Sequence, residues 1–165
     1  MKTLILLRHA KSSWKDESLQ DIERPLNDRG IGATGTIGSY IRKQKIAPEV
    51  IISSPAQRAR QTAELVLKSA RLKLEPRFDE RIYEAGVQNL MEVVSQTAND
   101  TTSVMLIGHN PGFEELLESL TGEARRLPTA ALAYIELNIE KWSKLRNGVG
   151  HLKWLVTPKE LQRAE

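Results

Sequence analysis

Cysteine is absent from this 165-residue chain, so disulfides and thiol chemistry are excluded from the outset. Long apolar runs are missing too. The run at residues 4–7 is too short for a signal-peptide core or a membrane span. Charge of one sign is not in large excess: 24 Lys and Arg stand against 21 Asp and Glu, a net +3. That surplus is too small to point to nucleic acid or a membrane surface, although a pI near 9.2 leans basic. No Walker loop and no Gly-x-Gly-x-x-Gly turn occurs, so a nucleotide cofactor has no support. Zinc-ligand spacing and an EF-hand loop are also missing, and no metal is expected. What is present is ordinary globular composition, 40% hydrophobic and 27% charged, in a length that suits one domain over residues 1–165. A cytoplasmic protein fits these features.

The apolar runs read as an alternation of strands and helices. Leu4-Ile5-Leu6-Leu7 predicts a strand buried on both faces, ending abruptly in Arg8-His9. Residues 11–27 have no clear period and predict a long loop, closed by Pro25. Asn27 can cap a helix over 28–44, with Ile31, Ile37 and Ile41 as its inward stripe. Gly30, Gly32, Gly35 and Gly38 weaken that helix but would let it pack close to the sheet. Val50 to Ser53 is a second strand. Ser54-Pro55 then opens a helix over 55–70, Ser as cap and Pro at the first position. A third strand is expected at 72–75, a connecting segment at 78–86 and a helix at 88–97. The fourth strand, 104–107, runs into Gly108-His109-Asn110-Pro111-Gly112. Phe113, Leu116, Leu117 and Leu120 mark a helix that Gly122 stops. Residues 130–137 and 152–156 read as two further strands. The order predicts an α/β sandwich of three layers with a mainly parallel central sheet.

In such a sheet, ligands bind beyond the carboxyl ends of the strands. Three of the predicted strands end in chemistry: Arg8-His9, Ser53-Ser54-Pro55-Ala56-Gln57-Arg58, and Gly108-His109-Asn110. Two of the chain's three histidines stand at these ends; His151 has no motif around it and reads as structural or exposed. Singly, each motif reads as a turn or a cap. Together, two arginines, two imidazoles and open helix N-termini suit an anion, phosphate above all. Arg60 lies about 200° around the helix from Arg58, so only one of them can face the cleft.

These residues resemble the histidine phosphatase (phosphoglycerate mutase-like) superfamily. The motifs are Leu7-Arg8-His9-Ala10-Lys11, the stretch from Ser53 to Thr62, and Ile107-Gly108-His109-Asn110-Pro111-Gly112. Arg24-Pro25-Leu26-Asn27-Asp28-Arg29-Gly30, Leu127-Pro128-Thr129-Ala130-Ala131 and the tail around Pro158-Lys159 are similar to its short SixA-type phosphohistidine phosphatase branch. The resemblance implies a phosphoglycerate mutase-like fold and a metal-independent phosphatase. His9 is then the nucleophile, carrying a covalent phosphoryl group. Arg8, Arg58 and His109 clamp the phosphoryl oxygens, His109 best as an imidazolium beside the anion.

The family's general acid often follows the third strand in a Leu-x-Glu-Arg context. Phe78-Asp79-Glu80-Arg81 fits with Phe for Leu and points to Glu80, whose competing reading is a surface ion pair with Arg81. Such an acid is expected to be partly buried. Asp79 and Glu84 are fallback acids, and a phosphoramidate leaving group brings its own proton. Asn110 bonds phosphate or caps its helix, with capping favoured; Lys11 and Ser12 line the pocket mouth. The short chain leaves no room for a large lid, so the expected substrate is a phosphohistidine on a protein, with a small phosphorylated metabolite as the alternative. A module that only binds phosphorylated partners is disfavoured by the intact nucleophile. No nucleic-acid or membrane partner is expected.

Overall fold

A computed structural model describes residues Met1 to Ala164. Six strands form one sheet: β1 (Lys2–Arg8), β2 (Val50–Ser53), β3 (Arg77–Phe78), β4 (Ser103–Gly108), β5 (Leu132–Leu137) and β6 (Gly150–Val156). Five helices accompany them: α1 (Asp28–Lys43), α2 (Gln57–Ala70), α3 (Val87–Ser95), α4 (Gly112–Thr121) and α5 (Pro158–Arg163). The strand order is β3-β2-β4-β1-β5-β6. The first four strands are parallel, and β5 and β6 close the edge antiparallel.

Side-chain alternation along β1 explains the three layers. Leu4 and Leu6 join one core with Leu90 and Val93 of α3 and Phe113, Leu116 and Leu117 of α4. Ile5 and Leu7 face the other way, onto Ile37 and Ile41 of α1 and Ala59, Ala63 and Val66 of α2. A strand must be apolar where it is covered on both sides, as Leu4 to Leu7 of β1 and Val104 to Ile107 of β4 are. The parallel register sets Arg8 beside Gly108 and Ser53 beside Ile107. Three strands therefore stop at one edge of the sheet.

Several expectations need correction. Residues 72–75 form no strand; β3 is the two-residue Arg77–Phe78, paired with Ile52 and Ser53. Leu72 and Leu74 alternate because their side chains pack against the α1–α2 core, while the Leu72 N–H turns back to the Leu67 carbonyl at the end of α2 rather than to a strand. The α2 helix begins at Gln57, not at Pro55, and its N-cap Ala56 has no side-chain bond. The Ser54 backbone still donates to Ile107, continuing the strand, and its Oγ accepts from Ala56 N–H just before the helix. Ile31 is 46% exposed, because it lies about 120° around α1 from Ile37. The close approaches at Gly30 and Gly38 are not to the sheet: a Cβ at Gly38 would overlap Ser69 of α2, and one at Gly30 the Lys11 carbonyl.

The 11–27 loop is tied down. Ser12 bridges to Leu26, Asn27 N–H donates to the Lys11 carbonyl, and a 3-10 turn forms at Asp21–Glu23. Asn27 does cap α1, its side chain accepting from Gly30 N–H. Gly122 ends α4 with φ +79°, a conformation for which glycine has no steric cost.

Candidate active site at the ends of the parallel strands

His9 leaves β1 with its backbone fixed on both sides. Its N–H donates to the Gly108 carbonyl, and its own carbonyl accepts from Ala130 N–H. The ring is fixed as well. Nδ1 lies 2.7 Å from the Ala10 carbonyl, and a carbonyl only accepts, so Nδ1 carries the proton. The lone pair is then on Nε2. Burial holds the His9 pKa down at about 4, with the nearby Arg58, Arg8 and Arg24 adding to it. A neutral imidazole with a free Nε2 is a nucleophile ready at neutral pH.

Around it stand the other predicted groups. The His109 ring lies 5.1 Å from that of His9, centroid to centroid. His109 Nε2 is 2.7 Å from Ser54 Oγ. Ser54 Oγ accepts from Ala56 N–H, and among the described residues its own proton has no acceptor but His109 Nε2, so it donates there. His109 thus presents Nδ1–H. Burial, then the neighbouring His9, push its pKa down to about 3. His109 is thereby a neutral donor, and the imidazolium expected beside a phosphoryl group depends on that anion to raise it.

Arg8 Nη1 donates to the Leu127 carbonyl at 2.9 Å. Arg58 is buried in the first turn of α2 and points both Nη atoms at Asp21, to its carbonyl at 2.7 Å and its carboxylate at 3.0 Å. Arg60 faces away, bonding the Pro55 carbonyl and stacking on Phe78. Five buried side-chain polar atoms among the described residues lack a partner, and four lie here: Arg8 Nε, Arg58 Nε, His109 Nδ1 and Asn110 Oδ1. The first three are donors. Buried donors without partners are costly, and an anion with several acceptor oxygens satisfies them.

The remaining candidates fare differently. Asn110 does not cap α4, whose N-cap is Pro111; one of its two Nδ2–H groups bonds the same Leu127 carbonyl as Arg8, and the second is left to give. Ser12 Oγ accepts from Arg24 Nη1 at 2.8 Å. Lys11 is exposed and lines a cavity with Arg29 and Lys159. Glu80 is exposed at the start of a 3-10 turn, so the partial burial expected of a general acid is not seen; Arg81 pairs with Asp79 and Glu92 instead. That pairing lowers the Asp79 pKa below the usual carboxylate value. Glu84 is exposed, as is His151.

Sequence reasoning missed three residues. Asp21 sits against the clamp, bonded by Tyr83 O–H at 2.6 Å, Arg58 and Arg24. Those bonds, Tyr83's first, hold its pKa at about 2. Burial, then the Asp21 contact, push the Tyr83 phenol up to about 12, and its ring edge meets His109 at 5.6 Å. Arg24 is buried, with its guanidinium over the ring of Trp14 at 3.5 Å. Only the Arg24–Gly30 motif hinted at this group, and it named no role.

Residues 4–138 match the family model of the histidine phosphatase superfamily (branch 1). The phosphohistidine phosphatase SixA of Escherichia coli is 25% identical over 166 residues, covering 98% of both chains. A solved structure from Agrobacterium tumefaciens described as a SixA phosphohistidine phosphatase superposes with TM-score 0.81 at 26% identity, over 95% of this chain and 98% of its own. The protein histidine phosphatase SixA complexed with tungstate gives TM-score 0.84 at 24% identity, over 96% and 99% of the two chains, a likeness of fold.

Proposed function

Because the chain belongs to the histidine phosphatase superfamily and is a phosphatase working through a catalytic histidine, we propose that its substrate is a phosphohistidine on a protein and that His9 is the nucleophile. His9 Nε2 attacks phosphorus in line. The new P–N bond forms as the bond to the substrate imidazole breaks, and the transferring group's charge falls on Arg8, Arg58 and His109 Nδ1–H. The positive charge that phosphorylation creates on the His9 ring is met by the Nδ1–H bond to the Ala10 carbonyl. Water then attacks the phosphoenzyme, releasing inorganic phosphate and restoring neutral His9.

The observation that supports a phosphoramidate over a phosphoester is the state of the carboxyl groups. An alkoxide leaving group needs a protonated acid beside it. The carboxyl in contact with the clamp, Asp21, is ionised down to pH about 2, and Glu80 is exposed. A protonated phosphohistidine departs as a neutral imidazole and needs no such acid. Glu80 remains the candidate donor for ester substrates.

The test is rapid quench at alkaline pH with a phosphohistidine-bearing protein. A phosphoenzyme is expected on the native chain. His9→Ala should show no label and turnover lower by roughly 10⁴-fold or more. A small phosphomonoester turned over with equal or better kcat/KM would favour the metabolite reading, and turnover surviving in His9→Ala would remove the mechanism.

A further inference from the structure

A cavity of about 640 Å³ opens beside the clamp, and the proposed reaction leaves it unused. Lys11, Arg29 and Lys159 reach it from three different elements: the loop after β1, α1 and α5. No carboxylate lines it. None of the three cations forms an ion pair among the described residues. The neighbouring Glu160 turns its carboxylate to the Thr157 hydroxyl. The rest of the lining is uncharged: Gly32, Ala33, Pro128 and Pro158 are small or apolar, and Thr129, Thr157 and Gln162 are polar.

The chain fixes its position relative to the clamp. Lys11 is two residues beyond His9, so their Cα atoms are at most about 7 Å apart. Pro128 and Thr129 lie between Leu127, whose carbonyl holds Arg8, and Ala130, whose N–H holds the Arg8 and His9 carbonyls. One wall of the cavity is therefore the segment that braces the nucleophile.

We propose that this cavity docks an acidic segment of the phosphoprotein, close to its phosphorylated histidine. This rests on the substrate reading above and extends it. The cations come from three separate elements around the cavity. They border a groove of small, apolar and uncharged polar residues with no carboxylate among them, which suits several carboxylates carried on an extended chain. Exposed pairs of this kind are individually weak, so the gain is modest and falls with salt.

The experiment uses the full chain and two synthetic phosphohistidine peptides, one flanked by Asp and Glu, the other by Ser and Gln. The expected kcat/KM for the acidic peptide is about fivefold to tenfold higher at low salt. Arg29→Gln with Lys159→Gln should bring that preference to about twofold or less, and so should Gly32→Glu. A Cβ at Gly32 meets nothing within 4 Å, so this change introduces a carboxylate without a clash. Turnover of p-nitrophenyl phosphate should not change in either variant. No preference in the native chain, or one that persists in both variants, overturns the assignment.

If neither phosphopeptide is turned over while p-nitrophenyl phosphate is, the phosphoprotein reading fails. Calorimetry with the unphosphorylated acidic peptide then decides the cavity alone. Binding about fivefold weaker in the double variant supports it. Equal binding, or binding of tripolyphosphate but not the peptide, overturns it.

Discussion

Among the described residues the Ser54 hydroxyl proton has one acceptor, His109 Nε2. Loss of that bond lets the imidazole take its other tautomer, moving the donor off the phosphoryl site. Ser54→Ala should lower kcat/KM about tenfold, mostly in kcat. Nitrogen NMR of His109 should show the Nδ1–H form in the native chain and a mixture in the variant. An unchanged tautomer would leave Ser54 a purely structural part of the turn. Asp21 acts through Arg58, holding both Nη atoms. Asp21→Asn keeps the backbone bond and removes a negative charge from the clamp. Inorganic phosphate should bind a few-fold tighter, while kcat falls about tenfold because Arg58 is less well aimed. If both constants worsen together, Asp21 is only a structural tie. Arg8, His9, Arg58 and His109 were legible because each follows a strand end that the apolar runs mark. Asp21, Arg24 and Tyr83 were not, because the loop and turn that carry them have no period. Nothing local tells which of their many charged residues faces inward.

Among the elements, α1 carries four glycines in one helix, and the structure separates them. Gly30 and Gly38 sit where a Cβ would meet the Lys11 carbonyl and Ser69; Gly32 and Gly35 face open space. Gly38→Ala should therefore destabilise by about 1–3 kcal/mol through the α1–α2 contact. Gly30→Ala should cost a similar amount and also lower activity, because the Lys11 backbone it displaces is two residues from His9. Gly35→Ala should instead stabilise by up to about 1 kcal/mol, from helix propensity. Urea melts of the three variants decide it; equal effects at Gly35 and Gly38 would contradict the packing. The sequence showed four glycines of equal standing. It could not rank them, because the ranking comes from α2 and the post-β1 loop, both distant along the chain. The same limit explains the third strand. Alternation at Leu72 and Leu74 reports packing on one side, whereas a strand also needs a neighbour in register, and Ile52 takes Arg77.

For the whole molecule, gathering two arginines and two imidazoles at one sheet edge ties stability to pH and to anions. His9 and His109 have folded-state pKa values of about 4 and about 3, against an ordinary 6.5. Below pH 6.5 the unfolded chain takes up protons that the native chain refuses. Stability is thus fully present above about pH 6.5 and is lost as pH falls toward 4 and 3, by a few kcal/mol in order of magnitude. A dianion in the clamp reverses the cause, because it favours the imidazolium form of both rings. Binding then draws in protons, and the anion must bind more tightly as pH falls from 6.5 toward 4. Sulfate is the suitable probe, since it stays dianionic over this range while phosphate does not. With a few millimolar sulfate, matched in ionic strength by chloride, the acid-side fall in Tm should flatten. His109→Asn should lose part of that flattening, and Arg58→Ala most of it. Parallel curves with sulfate and chloride would mean that the two imidazoles do not share one anion with the arginines, and the strand ends would then be neighbours without being a site.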